Sequence, residues 1–216
     1  MTSPVNNARL TKGAIVALDP FNPLASVVIF QYNPAELTRS LTPAAPPGGA
    51  AAVPVGAQRL TGPPTEKISL KVTINAEEQM PVAGTVTGGS VYPQLAALEM
   101  LMYPKSLLVI KNAVLAAMGT MEVQPPEAPL TLFIWGLRRV MPVTVESYSV
   151  TEQYHDNNLN PLIAEADLQL RVLTYQNFTR RQAGYYTFLS YQIVKEAMAM
   201  VASVSNIAAT GAAILK

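Results

Sequence analysis

The sequence predicts a mainly β, α+β fold: about seven strands, one packed helix and a C-terminal helical tail. Three observations predict it. Ile68, Leu70, Val72 and Ile74 alternate with Lys67, Ser69, Lys71, Thr73 and Asn75, the period of two expected of a strand with one buried and one wet face. Short apolar runs to either side of that segment are bounded by Pro, Asn and Gly, the residues that make turns. Between Tyr92 and Met102 the apolar positions shift to helical spacing, with Leu95, Leu98 and Met102 at i, i+3 and i+7, and a helical pattern returns from Tyr185 onward.

Taken in order, Ala14 to Leu18 and Val27 to Gln31 are short β-branched runs and read as strands. Asn33-Pro34 ends the second, because a residue before proline is pushed out of the helical region and proline has no N–H for a ladder. Leu37, Arg39 and Leu41 alternate with Glu36, Thr38 and Ser40 as a third strand. Residues 44–64, rich in Ala, Pro and Gly, make a long loop, either a linker or an ordered clasp on a neighbouring subunit. The Lys67 to Asn75 strand is followed by a Gly/Thr-rich loop, Met80 to Ser90. In the helix that follows, Pro93 suits the first turn and Pro104 stops it. Lys105 to Met118 fits a helix or a short strand plus loop, and the Ala-rich half from Asn112 favours helix.

Pro125, Pro126 and Pro129 lead into a second strand block. Leu130 to Trp135 is an apolar run ended by Gly136, Val143 to Val150 alternates, Gln153 to Pro161 carries turn chemistry, and Ala166 to Leu173 alternates back. Leu130 to Thr174 is thus expected as a three-stranded antiparallel piece. The chain divides into a β domain over 1–176 and a helical, Ala-rich extension over 177–216.

Half of the 216 residues are hydrophobic and 13% are charged, which places the chain among globular proteins of one or two domains. The net charge of +1 and the lack of any basic run exclude bulk nucleic-acid binding, which needs a field to neutralise phosphates. Without cysteine there are no disulfides, thiolate metal sites or thiol chemistry. The polar Met1 to Arg9 lacks the basic-then-apolar signal pattern, so assembly in the cytoplasm is expected.

Chemistry has few footholds. His155 is the one histidine, and with no cysteine a His/Cys zinc site is implausible. Asp156 beside it mimics a dyad, but adjacent turn residues usually diverge. Glu77-Glu78 suits a solvated strand end. Gly48-Gly49 and Gly88-Gly89 lack the strand-to-helix context and the lysine of a phosphate loop. Trp135 closes an apolar strand and reads as core. No catalytic residue, metal ligand or cofactor site is expected. Arg138-Arg139 and Arg180-Arg181 are short basic doublets suited to an acidic patch on a partner or to surface turns. From Ala197 to Leu215 no residue is charged, and the stretch is as long as a membrane span. Its many Ala, Ser, Thr and Gly make insertion marginal, so a buried or partner-packed helix is favoured over lipid contact.

Two segments resemble one family. Phe30-Gln31-Tyr32-Asn33-Pro34, followed by Leu37 and Arg39-Ser40, resembles the opening of contractile-injection-system tube-domain proteins. Pro129-Leu130-Thr131-Leu132-Phe133-Ile134-Trp135-Gly136 is similar to that family's proline, apolar strand and Trp-Gly element. Val145 to Ser149, Asn160-Pro161 and Ala164 to Leu173 follow in the family's order. The resemblance implies a tail-tube-like β-barrel or sandwich, a six-fold ring of this chain, and as partners the inner tube, the spike or hub and the baseplate. The LysM module of the family's adaptor members has no counterpart after Leu173, so peptidoglycan binding is not implied. On this reading Gln31, Asn33, Arg39, Arg138, Arg139, Arg180, Arg181, Met198, Val201 and Ile207 are the candidate assembly contacts.

Overall fold

The computed structural model describes residues 11–18, 27–44, 62–76, 89–104, 106–118 and 129–214, with the side chains of residues 108 and 206–214 left out. Most of the 44–64 and Met80–Ser90 loops, Glu77-Glu78, Gly48-Gly49 and the Ile207 side chain lie outside that description.

The strand signals condense into one antiparallel sheet. Its strands are β1 (Ala14–Leu18), β2 (Val27–Ile29), β3 (Leu37–Thr42), β4 (Thr65–Asn75), β5 (Leu130–Ile134), β6 (Val140–His155) and β7 (Pro161–Val172), in the order β2-β1-β5-β6-β7-β4-β3. The helices are α1 (Tyr92–Glu99), α2 (Ser106–Ala117) and α3 (Ala183–Ile214), the last preceded by a 3-10 turn at Tyr175–Asn177. The fold is therefore α+β and mainly β, with seven strands as the patterning predicts. The barrel or sandwich is corrected: among the described residues the sheet ends in two edges, β2 and β3, and does not close.

It is nevertheless strongly curled. The chain passes from β2, at one edge, to β3, at the other, through residues 30–36 alone. Fully extended, that link reaches at most about 29 Å. Six inter-strand gaps of about 4.8 Å put the edges of a flat sheet as far apart, yet residues 31, 32 and 35 are bends. Only a curled sheet lets so short and bent a link join the edges. Gln31 bridges the gap directly: its Nε2 donates to the Asn75 carbonyl at 3.0 Å and its Oε1 accepts from the Asn75 N–H at 2.8 Å.

Strand alternation then sorts the faces. Ile68, Leu70, Val72 and Ile74 are buried between exposed Lys67, Ser69 and Lys71. Across the register, Leu170, Leu168, Ala166 and Ala164 of β7 face the same core. The outer face is wet and ion-paired: Lys67 and Arg171 both reach Glu146, and Lys71 reaches Glu165 at 2.6 Å. Leu95 and Leu98 of α1 enter the core, and the Val91 N–H anchors that helix to the Pro161 carbonyl at 3.0 Å. At the other end of β7, Phe188 and Tyr191 of α3 are buried, and Tyr175, Phe188 and Tyr191 form an edge-to-face ladder. The start of the 177–216 extension is thus part of the core, and two helices pack on the sheet rather than one.

Candidate assembly interface

The Phe30–Pro34 segment is a fold lock. Phe30 is buried against Phe133, and its N–H donates to the Gly13 carbonyl at 2.8 Å. Asn33 Oδ1 accepts from the Gly13 N–H at 2.9 Å, and Nδ2 donates to the Thr11 carbonyl at 3.0 Å. A Cβ at position 13 would stand 2.8 Å from the rings of Phe30 and Trp135, so only glycine lets the chain pass. Gln31 and Asn33, two of the expected assembly contacts, therefore commit these polar atoms to the chain's own backbone.

Arg39 is engaged in the same way, by a cluster that the charge reading did not single out. Glu66 of β4 is 3% exposed. Arg39 Nε donates to Glu66 Oε1 at 2.8 Å, and Nη2 reaches the same oxygen. Lys195 Nζ donates to Oε2 at 2.9 Å and lies 4.2 Å from the Tyr191 ring centroid. The Tyr191 hydroxyl accepts from Arg39 at 2.9 Å and donates to Glu66 at 3.3 Å. Burial alone would raise the Glu66 carboxyl, but hydrogen bonds from Lys195 and Arg39, with their charges, hold it below the usual carboxylate range. The cluster bolts α3 to the β3–β4 edge. Lys195 completes the bolt from α3. A signal for it stood in the sequence: Glu66 occupies the buried parity of β4, where a charge needs partners.

The bolt also sets the rotation of α3. At about 100° per residue, Gly184, Phe188, Tyr191, Lys195 and Met198 share one face, and this face meets the domain. A Cβ on Gly184 would stand 2.5 Å from the Phe178 ring, and Arg138 Nη1 reaches Met198 Sδ at 3.6 Å. Tyr186, Ile193, Met200 and Val204 fall on the opposite face and are each about 60% exposed or more. Val201, beside them, is exposed as well. A second exposed stripe runs along α2 and its end: Leu107, Ile110, Val114 and Met118. No α2 residue whose side chain is described is buried.

The expected contacts fall in separate places. Arg138 meets Met198; the Arg139 side chain is exposed while its carbonyl accepts from the Trp135 N–H; Arg180 and Arg181 are exposed in the turn before α3. His155 turns to Glu152 at 3.5 Å, while Asp156 accepts from the Asn158 and Asn160 backbones and the Asn160 side chain, so the two do not form a dyad. Hydrogen bonds from Asn160 hold Asp156 below the usual carboxylate range. Burial, then Glu99 and Glu152, pushes the Tyr148 hydroxyl up to about 12. Among the described residues no group of three His, Asp or Glu stands together to hold a metal, and no helix is long and apolar enough to cross a membrane. No family model matches the chain, and no curated protein matches it either.

Proposed function

We propose that this chain is a structural ring subunit of a contractile injection machine, joining the inner tube to the baseplate spike or hub. One observation carries the reading: the fold leaves large apolar side chains in rows on α2 and on the outward face of α3, where a lone protomer gains nothing from them. Among the described residues β3 is also a sheet edge, whose outward backbone groups are of the kind that partners cover. The resemblance at Phe30–Pro34 and Pro129–Gly136 supplies the kind of assembly, and the first of these segments is where the sheet edges are locked. In this role the Glu66 bolt keeps α3 fixed to the domain, so that load on the helix passes into the sheet.

The test is electron cryo-microscopy of particles assembled with the full chain. Six copies in one layer between tube and spike are expected. Three-fold or asymmetric placement, or absence from the particle, overturns the proposal.

A further inference from the structure

Two unpartnered apolar stripes occur on one chain, and they match. On α2, Leu107, Ile110 and Val114 follow 3-4 spacing, with Met118 four residues on. On α3, Ile193, Ala197, Met200 and Val204 follow 4-3-4 spacing. Each runs for about three turns, roughly 16 Å, and this spacing is the one that lets helices pack knobs into holes. The domain cannot cover the α3 stripe, because the Glu66 bolt, Phe188 and the Arg138–Met198 contact hold the opposite face against the sheet. Nor is the α2 stripe covered among the described residues, since Leu107, Ile110, Val114 and Met118 remain between 48% and 74% exposed.

We infer that the outward stripe of α3 docks on the α2 stripe of a second copy of this chain, so that each copy offers α3 to one neighbour and α2 to the other. The inference rests on the ring-subunit reading for the presence of that neighbour. Two different patches that fit each other make a head-to-tail contact, the kind that builds a ring when its rotation closes, whereas α3 on α3 would be a two-fold contact that stops at a dimer. Lipid is a poorer occupant. Interfacial helices carry a Lys/Arg-rich polar face, whereas Lys111 is the one basic residue of α2 and 197–214 contain no charge. The four side chains of a stripe cover roughly 400 Å², about half of what each partner gives a stable interface. One contact is therefore weak, and a closed ring gives every copy two.

The absence of cysteine makes the test direct. Ile110→Cys and Met200→Cys chains, one enlarged by a tag, are mixed, assembled and treated with a short bismaleimide. Mixed dimers are expected in several-fold excess over the product of either chain with itself, or with a Ser69→Cys control on the wet sheet face. Predominant Met200-to-Met200 product overturns the inference in favour of a two-fold contact. So does cross-linking within one chain of the double variant, or loss of the product on neutral phosphatidylcholine vesicles. Six-fold rings without mixed product overturn the inference and leave the ring reading standing. Mixed product in material without rings sustains the inference and tells against that reading.

Discussion

The first two helices follow one another in the chain and end in opposite situations. The α1 helix carries Tyr, Gln and Glu among its apolar residues, yet it buries Leu95 and Leu98 and is tied to Pro161. The α2 helix is the more apolar of the two, and no residue of it whose side chain is described is buried. The contrast shows that apolar content measures what a helix would gain from burial, while its placement decides whether the gain is realised in the protomer or left for a partner. The α3 helix contains both situations, one face holding the domain and the other pointing away.

The sharpest way to break this contrast is a charge on each helix. Leu98→Asp puts an unpaired carboxylate in the core and is expected to cost more than about 4 kcal/mol, unfolding the domain. Ile110→Asp is expected to move stability by no more than about 0.5 kcal/mol, while abolishing self-association. Urea titration followed by circular dichroism, beside sedimentation, reads both, and equal losses of stability would erase the distinction. On the sheet, Leu70→Asp and Ser69→Asp are expected to divide in the same way.

Next in size is the bolt under α3. Arg39→Ala leaves Glu66 buried with Lys195 as its one cationic partner and is expected to cost about 2–3 kcal/mol. Lys195 is 40% exposed, so Lys195→Ala is expected to cost about 1 kcal/mol. The pH dependence has a definite sign. Glu66 binds its proton less readily folded than unfolded, so its contribution is complete above the ordinary carboxylate value of 4.5 and declines as pH falls toward its lowered folded value. Thermal melts of Glu66→Gln should therefore show a shallower acid limb than the parent. An unchanged limb would mean that other carboxylates control it.

Gln31→Ala removes both hydrogen bonds across the gap between the sheet edges, at an expected cost of about 1–2 kcal/mol. Hydrogen exchange should quicken at the Asn75 amide while that of Ile68 stays slow. The smallest effect is expected from removing 197–216. The bolt and the aromatic ladder lie before the cut, so the domain should keep its stability within about 0.5 kcal/mol. Incorporation into particles should be lost. Normal assembly by the shortened chain would deny α3 its docking role.

Much of the architecture was legible because it rests on local rules. Alternation in β4 marked its buried face residue by residue, turn residues bracketed the strands, and the Ala-rich half of the Lys105–Met118 segment pointed to the helix found there. The extent of β6 was not, since Gln153 to His155 reads as turn chemistry yet pairs with Pro161 to Ile163 in a long hairpin. Pairing across a sheet stabilised that polar end, which local propensity could not anticipate. The bolt was half legible: Glu66 stood at a core parity, but its partners lie on β3 and on a helix far along the chain.

By itself, then, the sequence determined which residues form strands and helices, which face of each strand is apolar, and that some charge on β4 required company. Those properties follow from side-chain period, turn chemistry and the cost of burying a charge, all of which act over a few residues. Only the tertiary structure decided that the sheet curls without closing, that Gln31 spans the gap, and that α3 turns one apolar face inward and the other outward. These depend on distances between segments remote in the chain, where the short link after β2 and the Glu66 bolt leave few other arrangements.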